Sequence, residues 1–283
     1  MVQLACMTLP YTAYPLERAI EGIASAGYRY VALGGPHEGQ DIFPPEDGEA
    51  VSRVRELLGR YNLKPIALVC STQLAPAQPF ELALHRLEVA RELGIREVLT
   101  LGTWGYRKFP DEPLPEEELR EKNRQYVERM RELAVSAERH GLTITIKPHT
   151  GNTASARVLL DTLAAIGSAS VSASYDPGNV HFYEGMDTQE DLALMGGRVY
   201  SFVAKDHRGG RAHLEFPVPG EGDIPFRQQF ALLQQSGYNG PVIVERVDGV
   251  PSSDPLPLEE IDSRIARART NLEAMLREAG YGD

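Results

Sequence analysis

The stretch Leu142–Asn152, LTITIKPHTGN, decides how the rest of the chain is read. Leu142, Ile144 and Ile146 alternate with Thr143, Thr145 and Lys147, and the two-residue period runs on to His149, the pattern of a β-strand with unlike faces. Lys147 and His149 therefore share a side. An ammonium on the inner side of a buried strand loses its hydration, which costs several kcal/mol unless an anion receives it. Acidic partners are expected opposite.

Working outward, strand patterns at Leu4–Leu9, Tyr28–Leu33, Lys64–Cys70 and Glu97–Leu101 precede this stretch, and Val171–Tyr175, Val199–Lys205 and Pro241–Glu245 follow it. Helical stripes fall between them: from about Pro15 to a stop at Gly27, then Ala50–Tyr61, Phe80–Leu93, Glu116–His140, Thr153–Ile166, a short piece near Gln189–Met195, Pro225–Gln235 and Leu256–Ala279. The segment Gly102–Pro115 carries too much Gly and Pro for a regular element, and Asp206–Ile224 reads as a second long loop. Eight strands alternating with eight helices predict an α/β parallel (β/α)8 TIM barrel, one domain over residues 1–283. The competitor is a doubly wound open sheet, disfavoured because no GxGxxG follows the first strand.

Composition narrows the function classes. A chain of 283 residues with 42% hydrophobic residues can bury a large core, and its net charge of −11 opposes a nucleic-acid footprint, which needs clustered Lys and Arg. Cys6 and Cys70 lie in apolar runs without ligand spacing and read as reduced core thiols. No run reaches membrane-spanning length and the first residues lack a signal-peptide pattern, so a cytoplasmic protein with no membrane partner is expected.

In a (β/α)8 barrel the site lies at the C-terminal strand ends. Parity brings Lys147 and His149 there from the fifth strand, Asp176 from the sixth in phase with Ser172 and Ser174, Lys205 and His207 from the seventh, and Glu245 from the eighth. Asp206 then faces outward or caps its loop. Two carboxylates, two lysines and two histidines at one mouth mark a functional cluster, against the competing reading of a structural salt-bridge network.

At these residues the chain resembles the xylose isomerase-like TIM-barrel superfamily, which includes ketose 3-epimerases, hydroxypyruvate isomerases, inosose dehydratases and endonuclease IV. KPHTGN, DPGN after the sixth strand, AKD in the seventh, PGEGDIPF and SGYNGPVIVE carry the resemblance. It implies a metal site with Glu, Asp, His and Glu on strands five to eight. Asp176 and Glu245 match, whereas Lys147 stands at the Glu position and Val203 at the His position, and Ala32 replaces a substrate-binding Glu of the second strand.

Two repairs follow. Either Lys147 supplies the positive charge and the site is metal-free, or a divalent Mn or Zn is held by Asp176, Glu245, His149 and His207. The resemblance implies an isomerase or epimerase moving a proton beside a carbonyl of a sugar or cyclitol. Glu245 and Lys147 are the candidate catalytic residues, and Trp104, His181, Lys205 and Arg208 the candidate substrate-binding ones. Lys147 fits either a second proton carrier or a fixed cation, depending on which way its pKa is moved. A dehydratase or other lyase uses the same first step, a catalytically silent sugar-binding barrel would keep the same mouth, and an endonuclease IV-like role lacks the zinc ligands and basic surface it needs. A homo-oligomer is compatible with this reading.

Overall fold

The computed structural model describes residues 2–282. Eight parallel strands close on themselves: β1 (Gln3–Met7), β2 (Tyr30–Leu33), β3 (Lys64–Val69), β4 (Glu97–Leu101), β5 (Thr143–Lys147), β6 (Val171–Tyr175), β7 (Val199–Ala204) and β8 (Pro241–Val244). Each pairs with its sequence neighbours, and β1 meets β8 with Cys6 opposite Val244, so no edge is left unpaired. The (β/α)8 barrel is the expected fold.

Nine α-helices surround the strands among the described residues: α1 (Leu16–Ser25), α2 (Ala50–Arg60), α3 (Phe80–Leu93), α4 (Glu116–His140), α5 (Ala156–Ile166), α6 (Pro177–Glu184), α7 (Thr188–Leu194), α8 (Phe226–Gln235) and α9 (Leu258–Glu278). None is long and apolar enough to cross a membrane. Two elements depart from the sequence reading. The helix α6 occupies PGNVHFYE, where the sequence reading has no element, and the Gly102–Pro115 segment contains a small antiparallel hairpin pairing Tyr106–Lys108 with Glu112–Pro113.

Both departures have local causes. Proline is tolerated in the first helical turn, where no partner for its missing N–H is needed, and Asp176 caps α6 by accepting the Asn179 N–H at 2.9 Å. The hairpin is held from outside. Arg211 donates to the Tyr106 hydroxyl at 2.9 Å and lies 5.3 Å from the Phe109 ring centre, while Phe109 packs on Phe182 and Tyr183 of α6.

The strand interiors divide the core into two layers. Ile144, Ile146, Phe202 and Ala204 face outward into the strand–helix layer, as parity requires, together with the buried thiols Cys6 and Cys70. The barrel lumen is apolar on one side, with Ala5, Met7, Ala32, Ala67, Val69, Leu99, Val203 and Ile243. On the other side it is polar: Glu97 accepts hydrogen bonds from Thr145 and Ser201, and the Ser201 and Ser174 hydroxyls are 2.7 Å apart.

Glu97 is buried, and its second carboxyl oxygen has no protein partner. Desolvation drives its pKa up to about 7, only partly countered by the Ser201 and Thr145 hydroxyls. A raised carboxyl pKa means that the folded state holds this proton more tightly than the unfolded chain. Its contribution is complete below the ordinary carboxyl range near 4.5 and is lost as pH rises through about 7. Glu97→Gln, which keeps a neutral group in place, should therefore gain on the wild type by on the order of 3 kcal/mol between pH 4 and pH 8. Thermal melts of the two proteins across that range measure it; parallel pH dependences would contradict a protonated Glu97.

Candidate functional site at the barrel mouth

Four side chains meet just past the ends of β5 to β8. Lys147 is the last residue of its strand, while Asp176, Lys205 and Glu245 each lie one residue beyond theirs. The Lys147 ammonium donates to Asp176 Oδ2 at 2.8 Å and to Glu245 Oε2. Lys205 Nζ stands 3.3 Å from each of the same two oxygens. Both lysines are about 4% exposed, Asp176 is fully buried and the Glu245 side chain is 12% exposed. The acidic partners expected opposite Lys147 are present, and a second cation completes the set.

Although the two ammoniums share their partners, they titrate in opposite directions. Desolvation pulls Lys147 down, but the attraction of Asp176 and Glu245, reinforced by two hydrogen bonds, outweighs it and lifts the amine above the ordinary lysine value. Lys205 is desolvated too, makes only the longer contacts, and is repelled by Lys147 and Arg246, so it ends below that value. Burial opposes ionisation of Glu245, yet the two lysines overcome it and hold the carboxyl well below its usual range. The two carboxylates thus favour the charged form of Lys147.

Above the quartet lies a cavity of about 370 Å³. Lys147, Lys205 and Glu245 line it on the β5–β8 side, and Met7, Val69, Leu99 and Leu101 line it on the β1–β4 side. Trp104, Phe109, His149, Phe182 and Tyr183 form an aromatic wall, with the His149 ring 5.1 Å from Trp104 and 4.4 Å from Tyr183 between centres. Burial first, then repulsion by Lys147 and Lys205, pushes His149 down to about 3, which keeps its imidazole neutral. A second cavity of about 420 Å³ lies on the far side of Glu245 and Arg246, which line both.

The other expected site residues lie elsewhere. His207 Nδ1 is 2.8 Å from His181 Nδ1 and its Nε2 is 2.6 Å from the His213 carbonyl oxygen, so both ring nitrogens of His207 are engaged outside the cavity lining. His181 is absent from that lining as well. Arg208 pairs with Glu215 and donates to the Glu221 carbonyl on the surface loop. Asp206 caps this loop, accepting the N–H groups of Gly220, Gly222, Ile224 and His207.

The four-ligand set Asp176, Glu245, His149 and His207 is therefore not assembled, and among the described residues no three His, Cys, Asp or Glu side chains are grouped to hold a metal. The physical reason is local. The oxygens that would face a cation already face two ammoniums, His207 is turned away, and the lumen beneath, at Ala32 and Val203, is apolar. The residues present do not fit a resident divalent ion.

Sequence reasoning missed Phe109, Phe182, Tyr183 and Arg246, although Arg246 directly follows Glu245 and Tyr183 lies two residues after His181. The DPG signal was the available clue to α6. Gly178 has a specific task there, because a Cβ on it would lie 2.5 Å from the Lys205 carbonyl oxygen. Gly178→Ala should cost about 1–3 kcal/mol of stability and disturb Lys205, which thermal melts and lysine-amine NMR titration detect. An unaltered melt and an unaltered Lys205 titration would show that the approach is not close.

A family profile described as "Xylose isomerase-like TIM barrel" matches residues 20–277. The rhizopine catabolism protein MocC of Rhizobium meliloti is 25% identical over 288 residues, covering 94% of this chain and 83% of that protein. Among solved structures, D-psicose 3-epimerase with D-tagatose from Clostridium cellulolyticum H10 superposes with a TM-score of 0.77 at 13% identity, covering 97% and 99% of the two chains. A xylose isomerase domain protein from Alicyclobacillus acidocaldarius subsp. acidocaldarius does so at 0.74 and 21% identity, covering 99% of each chain. These two likenesses are of fold. With most of its length matched by the profile, the chain belongs to the xylose isomerase-like TIM-barrel family.

Proposed function

We propose that this protein is a sugar isomerase or epimerase that moves a proton beside the carbonyl of a carbohydrate or cyclitol. The observation that carries the reading is the buried Lys147–Asp176–Glu245–Lys205 quartet, of which Lys147, Lys205 and Glu245 line a cavity with an aromatic wall. Epimerases among the structural relatives lend it support at the level of fold.

The chemistry needs a base for the carbon-bound proton, an acid to return one, and positive charge where the enediolate forms. Glu245 stays ionised and serves as the base. Lys147 stays charged and stabilises the oxygen that takes up the electron pair. Lys205, the more acidic ammonium, returns a proton to the neighbouring carbon from the same side, and its 3.3 Å contact with Glu245 lets the pair exchange the proton back. Trp104 and Tyr183 offer ring faces to the C–H side of a sugar, and neutral His149 offers a hydrogen bond to a hydroxyl.

Solvent-deuterium incorporation into a panel of ketoses, keto-sugars and inososes tests this, with loss of water read in the same spectra for an eliminating enzyme. Lys147→Met should slow exchange about a hundredfold to a thousandfold. Lys205→Arg should keep exchange at the abstracted carbon but lose net conversion. Because Lys205 acts in its protonated form, conversion should fall as pH rises through its lowered pKa, on the acid side of the ordinary lysine range. Failure of every compound in the panel to exchange or lose water would sink the proposal.

A further inference from the structure

We infer that Lys147 and Lys205 together take the place of a divalent cation, so that this barrel mouth binds substrate oxygens through ammonium hydrogen bonds and binds no metal. Each ammonium approaches the same two oxygens, Asp176 Oδ2 and Glu245 Oε2, with Lys147 at 2.8 Å from the first and Lys205 at 3.3 Å from both. Two positive charges thus sit between two negative ones, the balance that a divalent ion bridging the same carboxylates would give. A metal added to the quartet would leave two uncompensated positive charges in a site where neither lysine is more than about 4% exposed.

Ejecting the lysines is no easier. The Lys205 stem and carbonyl lie against Gly178 at the start of α6, closer than a Cβ could be placed. The donor supply is also too small. Asp176 Oδ1 is taken by the Asn179 N–H, His207 bonds to His181 and His213, and the lumen below is closed by Ala32 and Val203. Zinc asks for four ligands and manganese or magnesium for more, from a set that leaves three carboxylate oxygens, two of them already facing both ammoniums, and the His149 imidazole.

What the quartet offers in exchange is a pair of donors. An ammonium has three N–H groups, and Lys147 spends two on Asp176 and Glu245. The third N–H of Lys147 and that of Lys205 remain for the carbonyl and an adjacent hydroxyl of a substrate in the cavity both residues line. A hydroxy-ketone would be gripped at two neighbouring oxygens, the atoms a metal would chelate. This deepens the reading under "Proposed function" and rests on it for the substrate, but cation binding is measured without substrate and answers by itself.

The test is elemental analysis of the full chain purified without chelator, followed by titration with MnCl2 and with ZnCl2 monitored by calorimetry and, for Mn, by electron paramagnetic resonance. The wild type should carry no stoichiometric metal and show no saturable uptake. Lys147→Glu, which turns the quartet into three carboxylates around one ammonium, should gain Mn affinity by at least roughly tenfold. Lys147→Met serves where thermal melts show that Lys147→Glu does not fold, and it should gain affinity in the same direction. Stoichiometric Mn or Zn in the wild type, or variants that take up cations no better than the wild type, would overturn the inference. A cation-blind wild type that also fails to exchange deuterium would leave the inference standing and remove only the enzymatic reading.

Discussion

An ammonium placed at the centre of a barrel mouth is the constraint from which the rest follows. Removing a lysine and two carboxylates from water costs several kcal/mol per ion, recovered only when geometry brings the charges together and fills their remaining hydrogen-bond capacity. Here that requires the ends of β5, β6 and β8 to stand at fixed separation, which the closed strand order secures. Asp176 ties this electrostatic centre to the backbone, one oxygen meeting the lysines and the other capping α6. The aromatic wall depends on α6 through Phe182 and Tyr183, so the charge network and the apolar wall share one carboxylate.

That coupling explains which parts of the site were legible in the sequence. Strand periodicity and β/α alternation disclose the barrel, and parity correctly turns Lys147, Asp176, Lys205 and Glu245 toward one point because each lies within one residue of its strand. Parity fails at His207. That residue lies three positions past β7, in backbone whose course is set by Asp206 gathering four N–H groups, and no alternation survives such a turn. Arg208, in the same loop, is held on the surface by Glu215 and the Glu221 carbonyl.

Beyond Trp104 and His149, the aromatic wall was illegible for a different reason. Its residues come from a helix opening with Pro-Gly and from a hairpin in a Gly- and Pro-rich segment, both of which read locally as irregular chain. Each is stabilised by the other: Phe109 and Trp104 pack on Tyr183, and Arg211 grips both Tyr106 and the Tyr183 carbonyl. Tertiary contacts of this kind have no signature in local periodicity. Glu97 was hidden more simply, as a charged residue at the head of a strand, where solvent exposure is the ordinary expectation.

The lumen beneath the mouth shows why the charges gather on one side. From β1 to β4 the inward residues above and around Ala32 are apolar, while β4 to β7 contribute the Glu97, Thr145, Ser174 and Ser201 network. The quartet stands at the ends of β5 to β8, above this network and above the apolar Val203 and Ile243, with Met7, Val69, Leu99 and Leu101 across the cavity from it. A ligand suited to such a space presents oxygens to one wall and carbon to the other. Sugars and cyclitols have that shape, since ring hydroxyls and the axial C–H faces point in different directions. In the function we propose, the division of the barrel lumen into two chemistries suits the mouth to a molecule with an oxygen side and a carbon side, and Lys147, already bonded to Asp176 and Glu245, is the charge that meets those oxygens.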